Sequence, residues 1–148
     1  MIRLPETAVE AIREHGRESY RDEACGAMYG RVMNNRGNRG NRENAKDVVR
    51  VAPLENAREN ERHRRFVVTP DAYRRAEAEA TRGGLTLLGF YHSHPDHPAY
   101  PSAYDLEHAF PFFSYVILAV ENAEPKTMRS FVLANDRKEF IEEKVEKE

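Results

Sequence analysis

Two imidazoles, a hydroxyl and a carboxylate fall within fourteen consecutive positions of this chain, from His92 to Asp105. The stretch reads Gly89-Phe90-Tyr91-His92-Ser93-His94-Pro95, then Pro101-Ser102 and, three positions on, Asp105. Histidines two apart on a strand project to the same side, because successive strand side chains alternate between faces. Two neutral imidazoles and a carboxylate from the next element are the protein ligands of an open zinc site, whose fourth position is left for water. Zinc in such a site lowers the pKa of water to about 7, which is hydrolytic chemistry near neutral pH. His92, His94 and Asp105 are therefore the candidate ligands of a Zn²⁺ ion.

The elements that must position these groups can be read from their flanks. Leu85-Thr86-Leu87-Leu88-Gly89-Phe90-Tyr91 is apolar, rich in strand formers and led by Gly83-Gly84; it predicts a buried strand. Pro95 stops the ladder and leaves both imidazoles at the strand's exit. Ser102 to Ala109 looks like the start of a short helix, with Ser102 as N-cap and Asp105 at N3. An acidic N3 residue has an ordinary explanation, since it closes a capping box and favours the helix dipole. A short loop back from His94 would also bring that first turn beside the two rings. The two readings of Asp105 stand together.

Elsewhere the pattern alternates helices and strands. Pro5 to about Tyr20 predicts an amphipathic helix with Ala8, Val9 and Ile12 as its apolar stripe, weakened in its second half by Gly16. Ala24 to Met33 reads as the first strand. Asn34 to Asn44 has no apolar period and is expected to be a mobile hairpin tip. Asp47–Pro53 and His63–Thr69 are further strand candidates, joined by the charged Asn56–Arg62 segment. Thr69-Pro70 opens a second helix with an N-cap and a proline at N1; Tyr73, Ala76 and Ala80 mark its buried side and Gly83-Gly84 ends it. Tyr115 to Val120 is apolar throughout, hence a central strand. Met128–Leu133 and Glu139–Val145 close the chain as strands, although the charge of the latter equally favours a helix. This order predicts an α/β fold with a layered mixed sheet flanked by helices, and residues 1–148 as a single domain.

His92-Ser93-His94-Pro95 followed by Pro101-Ser102 and Asp105, eleven positions after His94, resembles the motif of the JAMM (MPN-plus) zinc metalloproteases. The wording from Tyr91 to Ala99 is most similar to their bacterial and archaeal stand-alone members. Glu23-Ala24-Cys25-Gly26-Ala27-Met28-Tyr29-Gly30 looks like the upstream segment in which that family carries a glutamate. Asn56, Asn60, Arg65-Phe66 and Thr69-Pro70-Asp71 add to the likeness, which runs from about Leu4 to Phe140. The resemblance implies the fold that the family shares with cytidine deaminases. It implies His92, His94 and Asp105 as zinc ligands, Glu23 as the carboxylate that accepts the water's proton and delivers it to the departing amine, and Ser102 as donor to the developing oxyanion. A hydroxyl can accept from a backbone N–H while donating its own hydrogen, so capping does not exclude that role for Ser102. Without the resemblance, Glu23 would read as a helix-terminal surface charge.

Several stand-alone members act on ubiquitin-like sulfur-carrier proteins. The resemblance thus implies a peptidase acting after a carrier's C-terminal Gly-Gly tail and releasing an amino acid such as cysteine. Cleavage of ubiquitin-like conjugates from lysine, a small-amide hydrolase and a metal-free MPN scaffold are the alternatives. Relatives of the scaffold kind usually lose metal ligands, and this chain retains all of them.

Composition removes other classes. At 148 residues with 32% charged side chains and a net charge of −2, neither sign dominates, and no basic face for nucleic acid is indicated. Arg58, Arg62, Arg64 and Arg65 cluster, but Glu59 and Glu61 interleave with them. Cys25 is the only cysteine, which rules out an internal disulfide and a Cys-x-x-Cys deaminase site; its apolar surroundings predict a buried, inert thiol. No apolar run approaches the roughly 20 residues of a membrane span, and no signal peptide is evident, so a cytoplasmic protein is expected. His97, in the loop after Pro95, is either a further ligand or a surface histidine that meets substrate. His15, His63 and His108 have no matching partners.

Overall fold

The computed structural model describes residues 1–34, 44–54 and 68–147. The expected hairpin tip between Asn34 and Asn44, the Asn56–Arg62 segment, Arg65-Phe66 and most of the His63–Thr69 strand candidate lie outside the described residues; Val68 and Thr69 belong to no strand.

The strands are β1 (Ile2–Leu4), β2 (Cys25–Asn34), β3 (Asn44–Pro53), β4 (Thr86–Pro95), β5 (Ser114–Glu121), β6 (Glu124–Leu133), β7 (Phe140–Glu143) and β8 (Val145–Lys147), with helices α1 (Glu6–Ser19), α2 (Pro70–Arg82) and α3 (Ala103–Glu107) between them. The strands form one mixed sheet in the order β7-β6-β5-β4-β2-β3-β1-β8. Its two ends, β7 and β8, are separated in the chain by Lys144 alone. The Ile2 N–H donates to the Lys144 carbonyl at 3.0 Å, and the terminal amine of Met1 lies 3.2 Å from Glu143. A sheet whose outermost strands meet at one residue must curl, and α1 occupies the face it wraps. Ala8, Val9 and Ile12 pack there with Ile2, Leu4, Met28, Leu88, Tyr91, Val116, Leu118 and Val120.

The expected apolar stripe of α1 is the one that packs, and the helix runs through Gly16 to Ser19. A Cβ at Gly16 would come within 2.8 Å of Leu118 Cδ2, so the glycine lets α1 lie close to β5. Pro5 is the N-cap rather than the first helical residue. Thr69 caps α2 as expected, its hydroxyl accepting the Ala72 N–H at 3.1 Å. The buried side of α2 is Ala72, Ala76 and Ala80, with Tyr73 only half-buried. The predicted Glu139–Val145 strand is two strands at opposite ends of the sheet, and β1, three residues long, was not expected from the sequence.

β4 lies between β2 and β5, antiparallel to the first and parallel to the second. Its pairing with β2 slips by one residue at Leu88, so Met28 faces Gly89 while Tyr29 faces Leu87. This bulge decides which face the histidines take. Leu88 and Tyr91 both pack toward α1, whereas Leu87 and Phe90 pack with Ala76 and Ala80 of α2. An uninterrupted alternation could not put positions 88 and 91 on one face. Gly89 makes the bulge possible: its φ is +156°, and a Cβ there would stand 1.9 Å from the Ser114 carbonyl oxygen. Beyond the bulge, His92 and His94 fall on the α2 side.

Candidate metal centre

His92 and His94 lie at the exit of β4 and are buried, at 2% and 8% exposure. Their Nε2 atoms are 3.2 Å apart. Asp105 reaches them from the first turn of α3, with Oδ1 at 3.5 Å from His92 Nε2 and Oδ2 at 3.4 Å from His94 Nε2. α3 is oriented by a complete capping box: the Ser102 hydroxyl accepts the Asp105 N–H at 3.1 Å, and Asp105 Oδ2 accepts the Ser102 N–H at 2.8 Å. The cap and the approach to the imidazoles are thus made by one carboxylate.

One donor atom from each of the three residues lies within 4.8 Å of the others, close enough to converge on a shared cation. Bonds of about 2.0–2.1 Å in a tetrahedron place neighbouring donors roughly 3.3 Å apart; the two Nε2 atoms are 3.2 Å apart, and each faces a different Asp105 oxygen, His94 facing Oδ2 at 3.4 Å and His92 facing Oδ1 at 3.5 Å. His94 Nδ1 lies 2.9 Å from the Pro98 carbonyl. The carbonyl can only accept, so Nδ1 carries a proton, and a neutral His94 would turn its Nε2 lone pair to the cluster, as an imidazole ligand requires. Burial works against a charged His94, but Asp105, the Pro98 carbonyl and Glu23 outweigh it and raise its pKa above the ordinary histidine value. Burial likewise disfavours the Asp105 carboxylate, yet the His92 and His94 rings and the Ser102 N–H hold it well below the usual carboxylate range. Both directions mark a place that favours positive charge. Among the described residues, His92, His94 and Asp105 form the group able to hold a metal ion.

Glu23 lies in the loop between α1 and β2, buried at 8% exposure. Cys25 pairs with His92 in the antiparallel ladder. Two residues before Cys25, Glu23 borders the same cavity as His94. A cavity of about 380 Å³ is lined by Glu23, His94, Ser102 and Asp105, with His97 and Tyr100 at its outer wall. A second, of about 230 Å³, borders His92 and Asp105 from the other side, against Phe90, Phe110 and Tyr115. The triad stands between the two openings, and Asp105 borders both.

The structure thus brings together all five residues singled out in the sequence. His97 is exposed and stands outside the triad. Cys25 is buried, its thiol pushed up to about 12 by desolvation and by the nearby Glu23, and it donates to the Leu54 carbonyl at 3.2 Å. Sequence reasoning missed Tyr104 and Tyr100 as walls of the cavity; both lie beside the motif, but nothing in their spacing marks them.

The curled mixed sheet, the helix on each side and the triad at the exit of β4 define a JAB-type domain, and the chain belongs to the prokaryotic homologues of the JAB domain, a match that covers residues 5–134. The family expected from the His92–Asp105 motif is the one found. The chain is 29% identical over 133 residues to a protein of Thermus thermophilus named "Probable TtuB-protein conjugate cleaving protease", covering 90% of this chain and 76% of that one. It is similar to the solution structure of DSY2949 from Desulfitobacterium hafniense, with 31% identity, a TM-score of 0.82, and coverage of 100% of this chain and 93% of that one. A JAB1/MPN domain protein from Archaeoglobus fulgidus shares the fold at 15% identity and a TM-score of 0.57, with 100% and 97% covered. Among the described residues, no helix is long and apolar enough to cross a membrane.

Proposed function

We propose that this protein is a zinc metallopeptidase that hydrolyses the bond after the C-terminal Gly-Gly tail of a ubiquitin-like sulfur-carrier protein. The observation that carries this reading is the single cavity shared by Glu23, His94, Ser102 and Asp105. His92, His94 and Asp105 would hold the zinc: their donor atoms lie within 4.8 Å of one another, and the His94 tautomer suits a ligand. Bound there, zinc supplies Lewis acidity toward the scissile carbonyl and lowers the pKa of the attacking water.

The protein's own groups divide the remaining work. Glu23, in the same cavity as His94, accepts the water's proton and passes it to the departing amine. A positioned acid–base of this kind is worth roughly 10²–10⁴-fold. Ser102 Oγ accepts a backbone N–H through its lone pair and keeps its own hydrogen for the developing oxyanion. Openings on both sides of the triad suit a chain that runs through the site, with the tail on one side and the leaving group on the other. A glycine-rich tail can bring its backbone close to such a recessed centre without side-chain clash.

The family match over residues 5–134, with strands from both ends of the chain meeting in one sheet, supports reading residues 1–148 as one domain. A second substrate reading, release of a ubiquitin-like protein from a lysine conjugate, is favoured by the name of the Thermus thermophilus relative. The same tail would serve both.

The experiment is to incubate zinc-loaded protein and its Glu23→Gln variant with a carrier extended beyond Gly-Gly by one cysteine and, separately, with a lysine-linked conjugate, and to weigh the products. Cleavage after Gly-Gly by the unmodified protein, lost in the variant while zinc stays bound, is the expected result. Cleavage of the conjugate alone selects the second reading. Cleavage of neither, with zinc bound, overturns both.

A further inference from the structure

We infer that Ser93, the residue between the two histidines, is a positioning residue that sets where Glu23 stands; this rests on the reading of Glu23 as the proton-transfer group. Ser93 is 1% exposed and faces away from the triad, toward α1, where an added Cβ on Gly16 would lie 3.8 Å from Ser93 Cβ. It touches neither the cavity nor the ligands' donor atoms. Its bonds run to the chain beside Glu23. The Ser93 N–H donates to the Ala24 carbonyl at 3.0 Å, and the Ala24 N–H donates to Ser93 Oγ at 2.8 Å.

At a hydrogen-bonded pair of a regular antiparallel ladder, which alternates with non-hydrogen-bonded ones, the two facing residues exchange both bonds through their carbonyls. Here one of the two goes to a side chain, so the junction depends on which residue occupies position 93. Cys25–His92 is the last ladder pair of β2 and β4, and Ala24 is the final anchor before the backbone leaves the sheet at Glu23. On the other side of Glu23 the chain is held by Tyr20, whose hydroxyl donates to Asp96 Oδ2 at 2.6 Å. Glu23 is therefore slung between two attachments to the end of β4, and Ser93 is the nearer one. Ala24 is 2% exposed. With alanine at position 93 its N–H would be left without that acceptor in a place water does not reach, a state buried donors avoid by moving. The residue that moves with it is Glu23. The histidines, held by β5 in register with Ile117 and Ala119, are not displaced.

The test is a double-mutant cycle on the zinc-loaded protein with the carrier substrate, comparing Ser93→Ala, Ser93→Thr, Glu23→Gln and the pair Ser93→Ala with Glu23→Gln. Zinc stoichiometry and exchange of the Ala24 amide are read alongside. Ser93→Ala should lower kcat by about ten- to a hundredfold with KM within about twofold. Zinc should remain at one per chain, and Ala24 should lose its protection from exchange. Ser93→Thr, which keeps the hydroxyl, should restore both kcat and protection. In the Glu23→Gln background, Ser93→Ala should cause no further loss, because the group it positions is already disabled. An equal loss of kcat in both backgrounds, or an unprotected Ala24 amide in the unmodified protein, overturns the positioning role. Near-normal turnover by Glu23→Gln itself would instead sink the reading of Glu23.

Discussion

Asp105 and Ser102 hold each other reciprocally, backbone N–H to side chain in both directions, at 2.8 and 3.1 Å. The same Asp105 oxygen that accepts the Ser102 N–H lies 3.4 Å from His94 Nε2. The helix cap therefore fixes the carboxylate against the imidazoles, and one substitution separates its two consequences. Ser102→Ala should cost about 1 kcal/mol of stability as a lost cap. If Ser102 also donates to the oxyanion, kcat should fall by roughly 10²–10³-fold, or about 3–4 kcal/mol in the barrier. Melting curves and turnover of the same preparation check this. A barrier change no larger than the stability change would reduce Ser102 to a cap.

His92→Ala or Asp105→Ala should remove stoichiometric zinc while the sheet persists, because the apolar clusters around α1 and α2 do not depend on either side chain. A ligand present at a hundred times its Kd stabilises the folded state by about 2.7 kcal/mol. Chelation should therefore lower the melting temperature of the unmodified protein and leave that of His92→Ala unchanged. Mass spectrometry of the metal content and calorimetry with and without chelator are the measurements. An unmodified protein that takes up no zinc would refute the ligand assignment.

Much of the candidate site was legible because its groups lie in one strand, one loop and one capped turn, where spacing translates into geometry. Glu23 was not: nothing local distinguishes it from other glutamates, and its place in the same cavity as His94 depends on a pairing of strands about seventy positions apart. Resemblance to a family supplied it. β1 escaped because Ile2–Leu4 is too short to show a period, and its strand character comes from pairing with β3 and β8. The charged stretch after Glu139 reads as one strand because the bend at Lys144, which sends β7 and β8 to opposite ends of the sheet, is a tertiary event. Gly16 was read only in part for a related reason: propensity counts its cost to the helix, while the close approach to Leu118 is visible only in three dimensions.

The bulge at Gly89 gives the third prediction. Alternation between His92 and His94 shows that they share a face but not which one, and the extra residue in β4 turns them from α1 toward α2. Gly89→Ala would force a Cβ to within 1.9 Å of the Ser114 carbonyl and 2.7 Å of its nitrogen, both backbone atoms that cannot swing aside. A loss exceeding about 4 kcal/mol is expected. Where the variant stays folded at low temperature, zinc binding should be weakened with it. Gly84→Ala is the control: its φ of +69° strains an alanine, but the space around it is open, so it should cost only about 1 kcal/mol and leave zinc uptake intact. Equal metal affinity in a folded Gly89→Ala protein would show that the bulge does not orient the histidines.

The final prediction concerns pH and Cys25. Burial first, and then the charge of Glu23, push its thiol from 9.0 up to about 12 in the folded protein. Below pH 9 the thiol is neutral whether the chain is folded or not, and it contributes nothing to the pH dependence. Above that, the unfolded chain releases the proton and the folded one keeps it until about pH 12. The folded state then binds more protons than the unfolded state, and stability falls as pH rises. The slope approaches about 1.4 kcal/mol per pH unit for this one group. Other groups titrate in the same range, so the measurement is a difference: urea unfolding of the unmodified protein and of Cys25→Ala at pH 8 and pH 10. The gap between them should shift by about 1.4 kcal/mol in favour of the variant at the higher pH. The same burial makes the native thiol inert to alkylation at pH 8 unless the chain opens. Rapid labelling of the folded protein, or a gap that does not change with pH, would place Cys25 in contact with solvent and contradict the packing of β2 against Leu54.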